Sequence, residues 1–391
     1  MAANRIYLDH AATSFPKPAA VTERMVQYLT KVGSNVNRGV YGSAFEAEEL
    51  LYSLRQAVTD LFGGTDCRYT AFTANVTTAL NMIIKGLLRP GDHVLVSAME
   101  HNAVMRPLHQ LATQGVRYDV IPADRCGNML PEEAEGMLRP ETRAVISTHA
   151  SNVCGTVQPI AALGQLCRRH DLLLIVDSAQ TAGLFPLHME EMNLAALAFT
   201  GHKTLLGPQG TGGFLLRPDL VGEMEPLIAG GTGSISHLEQ MPDFMPDRFE
   251  AGTPNLPGLY GLYGALEARS GQSRSAALAH ELDLTARFLE GLRAIPRIRL
   301  IGREDTVSRA PVVSVQIREG ELAEAARLLD SRWGIQTRVG LHCAPLAHRT
   351  LGTYPQGTLR FSFGEGNTAE ETNLCLEALE EICRTLPARE R

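Results

Sequence analysis

The sequence has no Cys-x-x-Cys pair. Its seven cysteines (Cys67, Cys126, Cys154, Cys167, Cys343, Cys375 and Cys383) are odd in number and widely scattered, which excludes a disulfide framework and gives no zinc-ligand spacing. Long apolar runs are missing as well. Stretches such as Leu172-Leu-Leu-Ile-Val176 stop far short of the roughly 18–20 residues a membrane-spanning helix needs, and charge interrupts the N-terminus before a signal-peptide core can form. No Lys/Arg-dense run occurs, and 36 Lys+Arg stand against 43 Asp+Glu for a net charge of −7, so a nucleic-acid backbone is a poor partner. The glycine runs Gly207-Pro-Gln-Gly-Thr-Gly-Gly213 and Gly230-Gly-Thr-Gly233 match neither a dinucleotide fingerprint nor a P-loop, which argues against nicotinamide or nucleoside triphosphate chemistry. These absences lead to a cytoplasmic, globular chain with no membrane and no nucleic acid among its partners. At 391 residues it is long enough for two domains.

The chain does hold a regular alternation. Ser43–Phe62 reads as a helix, with Ser43 and Glu46 in capping-box spacing and Gly63-Gly64 as its stop. Short β-rich runs at 69–73, 93–97, 116–122, 143–149, 172–177 and 195–200 then alternate with helical stretches at 77–88, 103–114 and 160–170. This pattern predicts an α/β unit with a mostly parallel sheet covered on both faces. Beyond about residue 255 the texture becomes α+β. A long helical region at 258–294 is followed by strands at 310–317, 336–339 and 358–362 and helices at 322–331 and 368–385.

In such sheets ligands bind beyond the carboxyl ends of the strands, so the residues that follow each strand carry the argument. Ala74-Asn-Val-Thr-Thr-Ala79 opens a helix with free N–H groups and the Thr77 hydroxyl, which suits a phosphate; an ordinary Thr N-cap is the plainer reading. Asp177-Ser-Ala-Gln180 places an acid at a strand mouth. Thr200-Gly-His-Lys203 places a lysine there, either a solvated surface charge or a desolvated amine fit for Schiff-base chemistry. A phosphate cradle, a lysine and an acid on neighbouring strands are the parts that pyridoxal 5′-phosphate needs.

These stretches resemble the class V aminotransferases of fold type I and, more narrowly, the cysteine desulfurases. Met99-Glu-His-Asn102, His149-Ala-Ser-Asn-Val-Cys-Gly155, Tyr7-Leu-Asp-His-Ala-Ala12, Asn37-Arg-Gly39 and Arg248-Phe-Glu-Ala-Gly-Thr-Pro-Asn255 fit the same pattern. Arg338-Val-Gly-Leu-His-Cys-Ala-Pro345 is similar to the group II branch, the SufS and selenocysteine lyase type. Two features depart from that branch: Asn37 stands where a His often precedes the Arg, and the stretch 231–248 is abbreviated where a hairpin is common.

The resemblance implies a large domain at 15–255 with a mostly parallel seven-stranded sheet, and a smaller α+β domain made of 1–14 and 256–391. It implies that Lys203 holds the cofactor and moves the substrate's α-proton. Asp177 pairs with the pyridine nitrogen, Gln180 contacts the phenolic oxygen, and His101 stacks on the ring and assists proton transfer. Thr77, Thr200 and His202 bind the phosphate, with Thr253 reaching over from the other subunit of a homodimer. Asn152 and Arg360 hold the substrate carboxylate, and Asn37 and Arg38 line the site near the dimer interface. Cys343 is the nucleophile that takes sulfur from L-cysteine, or selenium from L-selenocysteine, leaving alanine and a persulfide that a protein or small-thiol acceptor empties. An imidazolium near Cys343, His342 being adjacent, or the cofactor's charge would favour its thiolate. The other six cysteines, Cys154 included, are read as packing.

Overall fold

The computed structural model describes residues 5–269 and 271–387. Seven strands form one sheet in the order Thr70–Thr73, Gly212–Leu216, Ala196–Thr200, Leu173–Asp177, Thr142–Thr148, His93–Ser97 and Arg117–Ile121. The five strands from Ala196–Thr200 to Arg117–Ile121 run parallel, and Gly212–Leu216 is antiparallel to both of its neighbours. The central strands are buried along their whole length, as expected of strands covered on both faces. Apolar cores lie on either side: Leu80, Ile83, Val94, Ile146 and Phe214 belong to one, and Leu54, Val58, Val145, Leu174 and Phe199 to the other.

The strand Gly212–Leu216 was read as part of a glycine run. Its glycines are forced by packing, because a Cβ on Gly212 would lie 2.8 Å from Asn75 Cα and 2.8 Å from the Phe199 carbonyl oxygen. The strand therefore presses against the start of the helix Val76–Leu87, where the phosphate cradle was expected. The capping box at Ser43 does not form. The helix Gly42–Leu61 begins after Tyr41 with no side-chain cap, and the Ser43 hydroxyl bonds Ser34 Oγ instead (2.6 Å). The long helical region is two helices, Leu256–Glu267 and Gly271–Arg293. Arg269 lies buried between them, beside Glu365 (3.1 Å) and Glu281 (3.8 Å).

A second sheet is antiparallel, in the order Arg338–Gly340, Thr358–Ser362, Val312–Ile317 and Ile298–Ile301. Its core joins Val313, Val315, Phe361, Phe288, Leu329 and Ile382 with Ile6 and Leu8 of the N-terminal segment. Ile6–Tyr7 pairs in parallel with Ile335–Gln336, and Asp9 bridges to Ser362, so the first strand delivers Asp9 to the end of the strand that carries Arg360. Leu259, Leu262 and Leu266 pack instead into the core of the seven-stranded sheet. Among the described residues no helix is long and apolar enough to cross a membrane.

Candidate active site

Asp177, Lys203 and His101 stand at or just past the carboxyl ends of three parallel strands, where such sheets bind ligands. Leu173–Asp177 ends in Asp177, which is buried; its Oδ1 accepts the Ala179 N–H (2.9 Å), leaving Oδ2 without a partner among the described residues. Burial pushes its pKa up, with the Ala179 N–H and the Lys203 charge pulling it down. An acid in this state fits a protonated ring nitrogen, which would satisfy both the charge and the free oxygen. Ala196–Thr200 leads into Lys203. Burial pushes that amine down to about 8, Asp177 and Cys343 pull it up, and Arg360 adds to the downward push. Lys203 is half-buried, and its lowered amine within electrostatic reach of Asp177, Arg360 and Cys343 favours the desolvated reading over a solvated surface charge.

His101 follows His93–Ser97 and caps the helix Asn102–Ala112, its Nδ1 accepting the Ala103 N–H (3.0 Å). Burial, then Lys203 and two arginines, push it down to about 4. The ring is neutral near neutral pH, with its proton at Nε2, so it can donate there and is a weaker base than a solvated histidine. That narrows the proton-transfer role expected of it.

The phosphate-binding residues fall into place unevenly. Asn75, not Thr77, caps Val76–Leu87, with its Oδ1 accepting the Thr78 N–H (2.9 Å); Thr77 stands exposed in the first turn, its hydroxyl turned to no cap. His202 Nδ1 is buried without a partner among the described residues, an orphan that an anionic oxygen would satisfy. Its backbone carbonyl takes Ser14 N–H and Oγ, Thr13 Oγ1 and Lys17 Nζ. Thr200 Oγ1 faces the Thr211 carbonyl (3.4 Å), and Gln180 Nε2 donates to the Ala11 carbonyl (3.1 Å). Thr253 is exposed and lines a cleft with Ala74 and Thr78 of its own chain. It is held there because Glu250 accepts the Phe72 N–H (2.6 Å) and clasps Arg55 through both carboxylate oxygens (2.6 and 3.0 Å). The orphaned His202 nitrogen, the free oxygen of Asp177 and the desolvated Lys203 fit pyridoxal 5′-phosphate.

Arg360 is buried. Its Nη1 donates to the Asn152 carbonyl (2.9 Å) and its Nη2 to Asp9 Oδ1 (3.1 Å), while Nε is buried with no partner among the described residues. Asp9 also takes Arg338 (2.8 Å). Arg338 and Arg360 are direct cross-strand partners, and the acid between them removes a like-charge repulsion. The sequence reading placed Asp9 only inside a motif. Cys343 is exposed on the turn after Arg338–Gly340. The expectation of an imidazolium beside it fails if His342 is the source: burial, with Arg360, His348 and Arg338 adding to it, pushes His342 down to about 2, so the ring is neutral. The positive groups near Cys343 are Arg338 and Lys203. Cys154 is fully buried, as a packing residue should be. Asn37 and Arg38 lie on exposed backbone with φ of 67° and 61°, bonded to Thr232 and Gly233 rather than to the Lys203 group.

The model of the class V aminotransferases matches residues 6–374. The chain belongs to the class V aminotransferase family. A relative from Methanothermobacter thermautotrophicus described as a probable cysteine desulfurase is 33% identical over 384 residues, 97% of this chain and 95% of its own length. One from Aeropyrum pernix with the same description is 33% identical over 396 residues, covering 97% and 95%. The apo structure of a cysteine desulfurase from Thermococcus onnurineus superposes with a TM-score of 0.91 at 30% identity, covering 98% of this chain and 95% of that one. The Escherichia coli cysteine desulfurase CsdA follows at 0.87 and 27%, covering 97% and 95%. Members of this family depend on pyridoxal 5′-phosphate, in keeping with the fit found in the cleft.

One buried acid of this class V chain escaped the sequence reading. Glu100 is fully buried, with Oε1 accepting the Thr148 N–H (2.6 Å) and Ser97 Oγ, and Oε2 unpartnered among the described residues. Burial pushes its pKa up from 4.5 to about 8, with Asp177 adding to the rise and the two hydrogen bonds opposing it. The fold then keeps a proton that the unfolded chain has already lost. The stability this contributes is complete below 4.5 and is lost as pH rises toward about 8. The urea midpoint of Glu100→Gln is expected to fall less between about pH 5 and about pH 8 than that of the wild type. Equal declines in the two proteins would show that Glu100 does not titrate in that window.

Proposed function

We propose that Lys203, Asp177, His101, Arg360, Asn152 and Cys343 form the reaction centre of a group II-like cysteine desulfurase that works as a homodimer in the cytoplasm. The chain is a pyridoxal-phosphate-dependent cysteine desulfurase. It converts L-cysteine to L-alanine and passes the sulfur through an enzyme persulfide to an acceptor. The observation that carries the assignment of residues is the closeness of the Lys203 amine to Asp177, to the buried Arg360 and to the exposed Cys343 thiol, each near enough to act on its charge.

Bound in the cleft, the cofactor supplies an electron sink for the pair released when the substrate's Cα–H bond breaks. Asp177 holds the ring nitrogen, while Thr77, Thr200, His202 and the N–H groups opening Val76–Leu87 take the phosphate. Arg360 and Asn152 orient the substrate carboxylate. Lys203 Nζ, neutral above about 8, accepts the α-proton. The Cys343 thiolate then attacks the substrate sulfur. An S–S bond forms as the Cβ–S bond breaks and the electron pair stays on Cβ; a proton added at Cβ and the return of the α-proton from Lys203 to Cα complete alanine. Exposure of Cys343 leaves the persulfide open to a protein or small-thiol acceptor.

The group II reading is supported by the short stretch from Arg338 to Pro345, in which the nucleophile sits on a tight turn rather than a long loop. A homodimer is supported by the exposed apolar side chains Leu29, Val40, Tyr41, Phe45 and Tyr52, which flank Asn37 and Arg38 in the sequence. The same dimer would bring Thr253 of each copy toward the other's site. The test is direct. Protein loaded with pyridoxal 5′-phosphate and given L-cysteine with a thiol reductant should release alanine and sulfide in equal amounts; alanine without sulfide overturns the desulfurase reading.

A further inference from the structure

The turn that carries the nucleophile is an unfavourable one for its residues. The Ala344 N–H donates to the Leu341 carbonyl (2.8 Å), and the two residues between them, His342 and Cys343, have φ of 46° and 57°. Positive φ at both central positions is the pattern of a type I′ turn, which Asn and Gly adopt readily and other side chains resist. Such backbone persists only where its surroundings hold it. Here both carbonyls of the central pair are held from outside the turn. Asn152 Nδ2 donates to the His342 carbonyl (2.7 Å), and the Asn102 N–H donates to the Cys343 carbonyl (2.8 Å). His342 Nε2 adds a bond to Thr358 Oγ1 (3.0 Å).

Asn152 alone of the three holds links the turn to Arg360, its own carbonyl accepting Arg360 Nη1 (2.9 Å). The arginine that receives the substrate carboxylate, the asparagine and the turn with the thiol therefore make one hydrogen-bonded chain. We propose that Asn152 is a positioning residue for Cys343: its side-chain amide holds the strained His342–Cys343 turn in the resting enzyme, apart from any contact it makes with substrate, and thereby ties the nucleophile's placement to the carboxylate site. The meaning of Cys343 in this inference rests on the proposed function. The tether itself is a property of the protein before substrate arrives.

Hydrogen–deuterium exchange of the holoenzyme without substrate reads the tether directly, through the peptide that holds the Ala344 N–H. Asn152→Ala should raise exchange across residues 341–346 by roughly tenfold while the buried strand 173–177 stays protected. In a single turnover with cysteine, the same variant should slow persulfide formation on Cys343 by a larger factor than it raises KM. His342→Gly, which accepts positive φ without strain, should recover part of that rate in the Asn152→Ala background, because a relaxed turn needs less holding. Should Asn152→Ala loosen the strand too, Asn152→Asp repeats the comparison with a near-isosteric side chain that lacks the N–H donor. Unchanged exchange at 341–346 in substrate-free protein would confine Asn152 to substrate binding and overturn the proposal. Failure of the functional reading looks different: the exchange change would be present, with no persulfide in the wild type.

Discussion

Lys203→Ala is expected to lower alanine formation by about 10²–10⁴-fold, the range for loss of a positioned proton-transfer group, and to leave the fold intact. The amine sits where burial pushes it down to about 8 against the pull of Asp177 and Cys343, so near neutrality a far larger share of it is unprotonated than of an exposed lysine with a pKa of 10.5. Two jobs vanish with it, the covalent hold on the cofactor and the base that reaches the α-proton. Borohydride reduction followed by peptide mapping should label the peptide containing Lys203 in the wild type and leave it unlabelled in the variant. The pH dependence gives a second check. Capture of added pyridoxal 5′-phosphate by cofactor-free protein needs the neutral amine, so its rate should climb with pH and level off above about 8. A midpoint near 10.5 would mean the amine is solvated, and labelling at another lysine would remove Lys203 from the reaction altogether.

What the sequence made legible follows from how local each signal is. Strands 93–97 and 358–362 were located to the residue: the first by its apolar centre Val94-Leu95-Val96, the second by its alternation of Leu359 and Phe361 with polar residues. Asp177 and Lys203 were legible as polar residues at or just past the end of a buried strand, whereas His101 came only from the family resemblance. The failures are long-range. Ser43 has the spacing of a cap, yet Ser34 claims its hydroxyl, and nothing near Ser43 announces that. Gly212 and Gly213 read only as part of a glycine run, because the atoms that forbid a Cβ there belong to Asn75, Ala71 and Phe199. The helix Leu256–Glu267 stops before Arg269, whose partners Glu281 and Glu365 lie 12 and 96 residues further on. His342 looked like a source of positive charge beside a thiol, and only the burial of its ring reverses that. Asp9, Glu100 and Asn102 act through partners dozens to hundreds of residues away, so their types gave no hint of their tasks.

Cys343→Ala carries the other large effect. Alanine and sulfide production from cysteine should fall below about 10⁻³ of the wild-type rate, as for loss of a nucleophile that nothing else replaces. Alanine tolerates φ of 57° no worse than cysteine does, so the turn is kept and the loss reports on the sulfur atom alone. Cofactor attachment at Lys203 and substrate binding through Arg360 involve no Cys343 atom. The spectral change on adding cysteine should therefore survive in the variant while sulfur release does not. The neutral ring of His342 sharpens the test further. If an imidazolium supported the thiolate, the wild-type rate would collapse as that ring lost its proton near neutral pH; a ring held down at about 2 has none to lose across that range. L-Selenocysteine as the second substrate separates the two branches of the chemistry, since a lyase whose selenium departs unaided keeps its turnover in Cys343→Ala. Cysteine turnover that persists in the variant at the wild-type rate would remove the persulfide from the mechanism, and with it the reason for holding this thiol on a strained turn beside Lys203.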